Sequence, residues 1–410
     1  MNRKNNLFII ITYCIGLNWL PSIIFGVESK YNNLFSILAI ILILLTFFQS
    51  SFKFHMNSKI FSYIIFSNIL IIAGILGGVI VGSIPFSYFY SFFVNFIITL
   101  YYANFINMET KKNIIISLIV CSWIISIFVI LSYMGLLPTL QEVSVYFGYG
   151  IFLERKWAGV GSSLLGSYIA LLINSLVGVI NIKKLNLIYY IFSLSVVIIV
   201  SAITAQRSLI LIFVCSVLII FIKYFIFDKR DLNKKIKSII SIILFGSASL
   251  IIFMFVRNHL LFYSLIYRLS IIKEDINYYY RKEMWKVFLN KLIRNPTLFA
   301  KGDLSDFEKI GGVPHMILGE SYYYGGILAL IGLLIMLIVS LRILIKQVTY
   351  QNRKKENYNY YWFLLSSFVS ILVYLTIMPG FFSRIPFILI GLSLSSANSN
   401  KSNYSHDKTI

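Results

Sequence analysis

Arg155, Arg207, Arg281 and Arg384 each lie close to long apolar runs. Arginine carries a rigid fork of donors that matches phosphate oxygens. Several such side chains at one membrane face could hold a pyrophosphate carried on a lipid. Any one of them fits equally well a guanidinium snorkelling to head groups; the set favours a functional role. His315, in Pro314-His315-Met316, and Glu320 supply groups that could take a proton from a hydroxyl near neutral pH. Taken alone, His315 is better read as a hydrogen-bonded imidazole at a helix start. At i and i+5 it does not stack with Glu320 on one helical face. Asp303 and Asp306 are spaced too loosely for a metal site, and Cys14, Cys121 and Cys215 all fall within apolar runs. Neither a metal, a cofactor nor a disulfide framework is expected.

What must position these groups is membrane scaffold. The chain has 410 residues, 59% hydrophobic and 12% charged, with a mean hydropathy of +0.84. That composition excludes a soluble globular protein. Apolar runs recur along the whole length, which predicts a single all-α polytopic membrane domain over residues 1–410 with about twelve transmembrane helices. The predicted spans cover residues 7–26, 34–50, 60–81, 87–106, 114–134, 162–182, 187–204, 209–227, 238–256, 318–341, 360–378 and 385–397. The first run lacks a small-residue cleavage site, so no cleavable leader is expected.

Charge sets the orientation. With the N-terminus inside, 21 of the 36 Lys and Arg fall in cytoplasmic segments, 5 in short outer loops and 10 in one long segment. That bias predicts N-in and C-in. It also makes the net charge of +21 a matter of topology and anionic lipid rather than of nucleic acid. All fifteen Asp and Glu fall in loops or at span ends. An ion-coupled carrier usually keeps an ionisable group near the bilayer centre, so the pattern disfavours one.

The long segment, residues 257–317 between the ninth and tenth spans, is thereby placed on the extracytoplasmic side. Within it, residues 278–294 repeat Trp285, Phe288, Leu289 and Leu292 at helical spacing, with Lys282, Lys286 and Asn290 on another face. An amphipathic helix is expected there, lying along the outer surface with Trp285 at head-group level. Arg281, one turn before Trp285, shares its apolar side. Asn295-Pro296 ends it, because the residue before proline resists helical geometry. Tyr278 to Tyr280 and Tyr322 to Tyr324 could stack on sugar rings or form an interfacial aromatic belt.

Four features together resemble the O-antigen polymerase and ligase family, the Wzy-like polymerases and their relatives. They are Arg155-x-x-x-Gly159 before a span, and Arg207-Ser208 in a short turn. The third is Arg281-x-x-x-Trp285 followed by Asn295-Pro296-Thr297-Leu298-Phe299-Ala300-Lys301-Gly302. The fourth is Pro314-His315-Met316-Ile317-Leu318 with Gly325-Gly326 beyond. Met316 stands where the family often has Asn, and Gln206 replaces the small residue before Arg207. The resemblance implies a metal-independent glycosyl transfer on the extracytoplasmic face of a bacterial cytoplasmic membrane. Undecaprenyl-pyrophosphate-linked oligosaccharide repeat units would be joined, with a chain-length regulator and a flippase of the same pathway as possible partners besides membrane lipid. On that reading Arg207 and Arg281 hold the pyrophosphate, and His315 or Glu320 removes the proton. Arg155 contacts glycan or phosphate, and Arg384 and Trp285 line the substrate site. A ligase using another acceptor, a lipid-linked oligosaccharide flippase and a membrane scaffold are the rival readings.

Overall fold

The computed structural model describes residues 3–25, 34–49, 58–104, 107–134, 136–137, 140–147, 151–158, 162–175, 186–204, 208–223, 276–300, 316–354, 357–376, 378, 381 and 383–396. The ninth predicted span, most of the 257–317 segment, Arg207 and His315 lie outside these residues. Among the described residues, eleven of the twelve predicted spans contain a helix, and five helices are long and apolar enough to cross a membrane. The chain is therefore a helical protein of membrane character.

The N-terminal elements are α1 (Arg3–Gly16), α2 (Leu20–Phe25) and α3 (Leu34–Gln49). The predicted first span is thus two helices broken at residues 17–19, just before Pro21, which has no N–H to continue the ladder. Three membrane-length helices follow: α4 (Ser58–Ile80), α5 (Phe86–Ala103) and α6 (Met108–Tyr133). Gly82, at φ +73°, and Pro85 turn the chain between α4 and α5. Asn107 caps α6 by accepting from the Glu109 N–H at 2.9 Å.

Among the described residues the expectation of an all-helical chain holds apart from one antiparallel hairpin, β1 (Leu140–Phe147) and β2 (Ile151–Ala158). Both strands are rich in β-branched and aromatic residues, and helical periodicity has no sight of so short a pair. Then come α7 (Ser162–Ser175), α8 (Asn186–Thr204), α9 (Ser208–Ile222), α10 (Ile276–Arg294), α11 (Ile317–Lys354), α12 (Tyr358–Leu375) and α13 (Arg384–Ser395). Arg342 and Lys346, assigned from sequence to a loop, lie on a helical extension of α11 because nothing between them and Lys354 breaks the helix.

Lipid offers helices no hydrophobic drive to associate, so close approach and polar links hold the bundle. Gly74 of α4 lies against the backbone of Gly325 of α11, where any side chain would collide. Ser67 of α4 meets Gly332 of α11, which fixes the two helices as antiparallel. Helices α7 and α13 are buried along almost their whole described length. Asn174 of α7 donates to Ser370 of α12 at 3.4 Å, and Ser370 pairs with Ser216 of α9 at 2.9 Å. Thr12 of α1 pairs with Tyr102 of α5 at 2.9 Å.

Helix α11 is interrupted at Gly326, which adopts φ 65° and ψ −159°. The break releases two amides, and the strand-like stretch after α10 takes them up. Ile327 donates to the Thr297 carbonyl at 2.9 Å and Leu328 to the Leu298 carbonyl at 3.4 Å. A Cβ at Gly326 would stand 2.5 Å from the Leu298 oxygen, in a region of backbone space that is essentially glycine's alone. Gly326→Ala is expected to destabilise the protein by about 3 kcal/mol, read as a lowered thermal unfolding midpoint in detergent. An unchanged midpoint would show that the break can close.

Candidate functional site

The helices bring Glu320 and Arg384 to one end of the bundle. Antiparallel contacts fix the sense: Gly166 of α7 meets Tyr374 of α12, and Lys223 after α9 bonds Asn359 of α12. The first turns of α7, α9, α11 and α13 and the last turn of α12 therefore share an end. That end receives Glu320 and Arg384. It is also where α8 and α9 stop on either side of Arg207, where α7 begins shortly after Arg155, and where Met316 follows His315.

Glu320 is placed by the first turn of α11 and is only 6% exposed. Its Oε2 accepts the Phe381 backbone N–H at 2.8 Å. The Phe381 carbonyl accepts from Asn95 Nδ2 at 3.3 Å, and Asn95 Oδ1 in turn accepts from Arg384 at 2.8 Å. The same Arg384 nitrogen donates to the Ser91 carbonyl at 2.7 Å. Two candidates chosen separately from sequence, one acid and one base, are thus joined through Phe381 and Asn95. Phe381 is held by stacking on Phe92 at 5.3 Å, so α5 positions both ends of the relay.

Arg384 also opens α13, and Ser383 before it makes no side-chain capping bond. A guanidinium and a helix N-terminus therefore coincide, both attracting negative charge. The guanidinium is half-buried, with one nitrogen committed to the bonds above.

Aromatic groups surround the acid. Tyr324, one helical turn beyond Glu320, packs on Tyr88 of α5, with the ring centroids 4.3 Å apart. The Tyr322 hydroxyl accepts from the Thr297 N–H at 3.3 Å. Tyr322 and Tyr324 are buried, so these two serve packing rather than an open belt.

Trp285 packs edge-on to Phe288 at 5.9 Å, and Phe288 edge-on to Tyr322 at 5.8 Å. Together with Met316 and Leu330 these rings fasten α10 to the first half of α11. Trp285, half-buried, thus packs at least partly against protein. Leu289, grouped with Trp285 from its spacing, is 45% exposed, whereas Phe288 packs on α11 and Met284 is buried.

Arg155 falls on β2, paired with Val143, and Arg281 on α10 one turn before Trp285; their side chains lie outside the described residues, as do Arg207 and His315 entirely. Among the described residues no group of His, Cys, Asp and Glu could hold a metal ion. Sequence reasoning missed Asn95, Ser91, Tyr88 and Phe381. Asn95 carried a signal, being an amide inside an apolar run, where polar groups are costly and have partners.

Two cations counted from sequence as loop charges are buried at the opposite end. Lys111 donates to the Ser395 carbonyl at 3.2 Å, satisfying the end of α13. Lys223 donates to Asn359 Oδ1 at 2.8 Å and lies over the Tyr358 ring. Long apolar stems let both reach inward. No protein-family model matches this sequence, and no curated protein matches it.

Proposed function

We propose that this chain is a membrane glycosyltransferase that joins lipid-linked oligosaccharide repeat units, a polysaccharide polymerase resembling the O-antigen polymerase and ligase family. The observation that carries the reading is the relay from Glu320 through Phe381 and Asn95 to Arg384. It brings a buried carboxylate and a guanidinium on a helix N-terminus to the bundle end that also receives the elements flanking Arg155, Arg207 and His315.

Two demands of the chemistry fit that end. A diphosphate leaving group gains negative charge as its bond to the anomeric carbon breaks, and pre-placed cations lower that barrier. Arg384 and the first turn of α13 supply positive charge, and Arg207 and Arg281 are assigned to the same group. The attacking hydroxyl must lose a proton, and Glu320 or His315 accepts it. The donor is a glycan on undecaprenyl pyrophosphate and the acceptor the next lipid-linked repeat unit; no cofactor takes part. With the inside-positive bias of the loops, this end of the bundle is read as extracytoplasmic, in a bacterial cytoplasmic membrane crossed about twelve times.

Purified protein reconstituted with its own lipid-linked repeat unit tests the proposal. Growth of a ladder of longer lipid-linked glycans is the expected result. No elongation, with transfer only to a different acceptor, would make it a ligase. Translocation without bond formation would make it a flippase.

A further inference from the structure

Asn95 lies in the body of α5 and is wholly buried. Its amide works in two directions. Oδ1 accepts from Arg384 at 2.8 Å, and Nδ2 donates to the Phe381 carbonyl at 3.3 Å. Turned over, the amide would set its N–H groups against a guanidinium and its oxygen against an oxygen, so these partners fix its orientation.

Ser91, Asn95 and Thr99 recur at i, i+4 and i+8, which is one stripe of α5. That stripe lies along α13: the Ser91 carbonyl accepts from Arg384 at 2.7 Å, and Thr99 donates to the Phe387 carbonyl at 3.5 Å. Phe92 packs edge-on to Phe387 at 5.8 Å, and Gly391 seats against Tyr102. Apolar contact and backbone acceptors therefore hold α13 on α5 by themselves. A buried amide is not needed for that, and it is costly in an apolar run unless its groups are used. What Asn95 adds is a link between the guanidinium and Phe381, whose N–H Glu320 accepts at 2.8 Å.

The neutrality of that link matters. Aspartate has the same shape and could accept from Arg384, but once ionised it could not donate to Phe381. It would also set a full negative charge at bonding distance from the guanidinium. Asn95 holds the same cation with the oxygen of an amide dipole. An anionic ligand that meets Arg384 then competes at this position with a dipole and not with a carboxylate.

We infer that Asn95 is a positioning residue for the diphosphate of the lipid-linked substrate, acting through Arg384. It aims the guanidinium without neutralising it and keeps the turn that carries Phe381, and with it Glu320, in register. The identity of the ligand rests on the glycosyltransferase reading.

Equilibrium binding of radiolabelled farnesyl pyrophosphate, a short polyprenyl diphosphate, to the full-length protein in detergent is the test. Asn95→Asp should raise its Kd by about tenfold or more, the worth of one hydrogen bond to a charged group. Asn95→Leu, which loses both bonds but adds no charge, should raise it less. A merely structural role predicts the reverse order, because aspartate keeps the bond to Arg384. Thr99→Val loosens the same helix contact one turn away and should bind as the parent does. Parental affinity in Asn95→Asp, equal weakening by Thr99→Val, or no binding to the parent would overturn the inference. The binding measurement needs no turnover. A protein that grows no glycan ladder yet shows this order of affinities would lose the polymerase reading and keep the role of Asn95; normal ladders with parental binding in Asn95→Asp would do the opposite.

Discussion

Glu320→Gln is expected to slow elongation of a lipid-linked glycan by about 100-fold or more, the usual worth of a positioned proton acceptor, while the protein folds normally. Glutamine keeps one capacity of the carboxylate and loses another. Its amide oxygen can still accept the Phe381 N–H that Oε2 of Glu320 accepts at 2.8 Å, so the turn before α13 stays fastened. It cannot take a proton from an attacking hydroxyl. Glu320→Ala removes both, and an orphaned buried N–H costs about 1–3 kcal/mol, so the alanine variant should lose stability as well. Initial rates in reconstituted vesicles, alongside thermal unfolding, separate the two effects. A glutamine variant with the parental rate would reduce Glu320 to a structural acceptor and leave proton removal to His315.

Arg207→Ala and Arg281→Ala should each abolish long chains while the protein still reaches the membrane. Removing one pre-placed donor from a developing oxyanion commonly costs about 100- to 1,000-fold in rate, and a processive reaction compounds that loss at every added unit. Arg384 should behave differently. Its guanidinium is bonded to the Ser91 carbonyl and to Asn95 Oδ1, so Arg384→Ala strips a partner from the buried Asn95 and from the half-buried Ser91 and lowers stability along with activity. Chain-length ladders on gels, with membrane abundance measured by immunoblot, distinguish these outcomes. Normal ladders from both Arg207→Ala and Arg281→Ala would remove the diphosphate assignment.

Sequence reading and structure agree most closely on α10. Its spacing predicted a helix over residues 278–294 ended by Asn295-Pro296, and the helix runs Ile276–Arg294. Its spacing put Leu289 with Trp285 and Phe288 on one apolar side, but periodicity does not divide that side, on which Phe288 is buried and Leu289 is 45% exposed. The same ambiguity hid the depth of Lys111 and Lys223. A count of cations by loop treats both as solvated, whereas each turns inward to a carbonyl or amide that only another helix supplies.

Composition and the recurrence of long apolar runs were sufficient to establish a helical membrane protein, since backbone groups in hydrocarbon must be satisfied within each span. Residue type together with a place at a span end marked Glu320 and Arg384 as candidates. Joining them required the fold: Asn95 is 225 residues before Glu320 in the chain, and no local rule brings an amide on α5 between a carboxylate on α11 and a guanidinium on α13. The break at Gly326 was likewise a matter of tertiary contact. A glycine permits a positive φ but does not demand it; here the carbonyls of Thr297 and Leu298 accept the freed amides and hold the helix open.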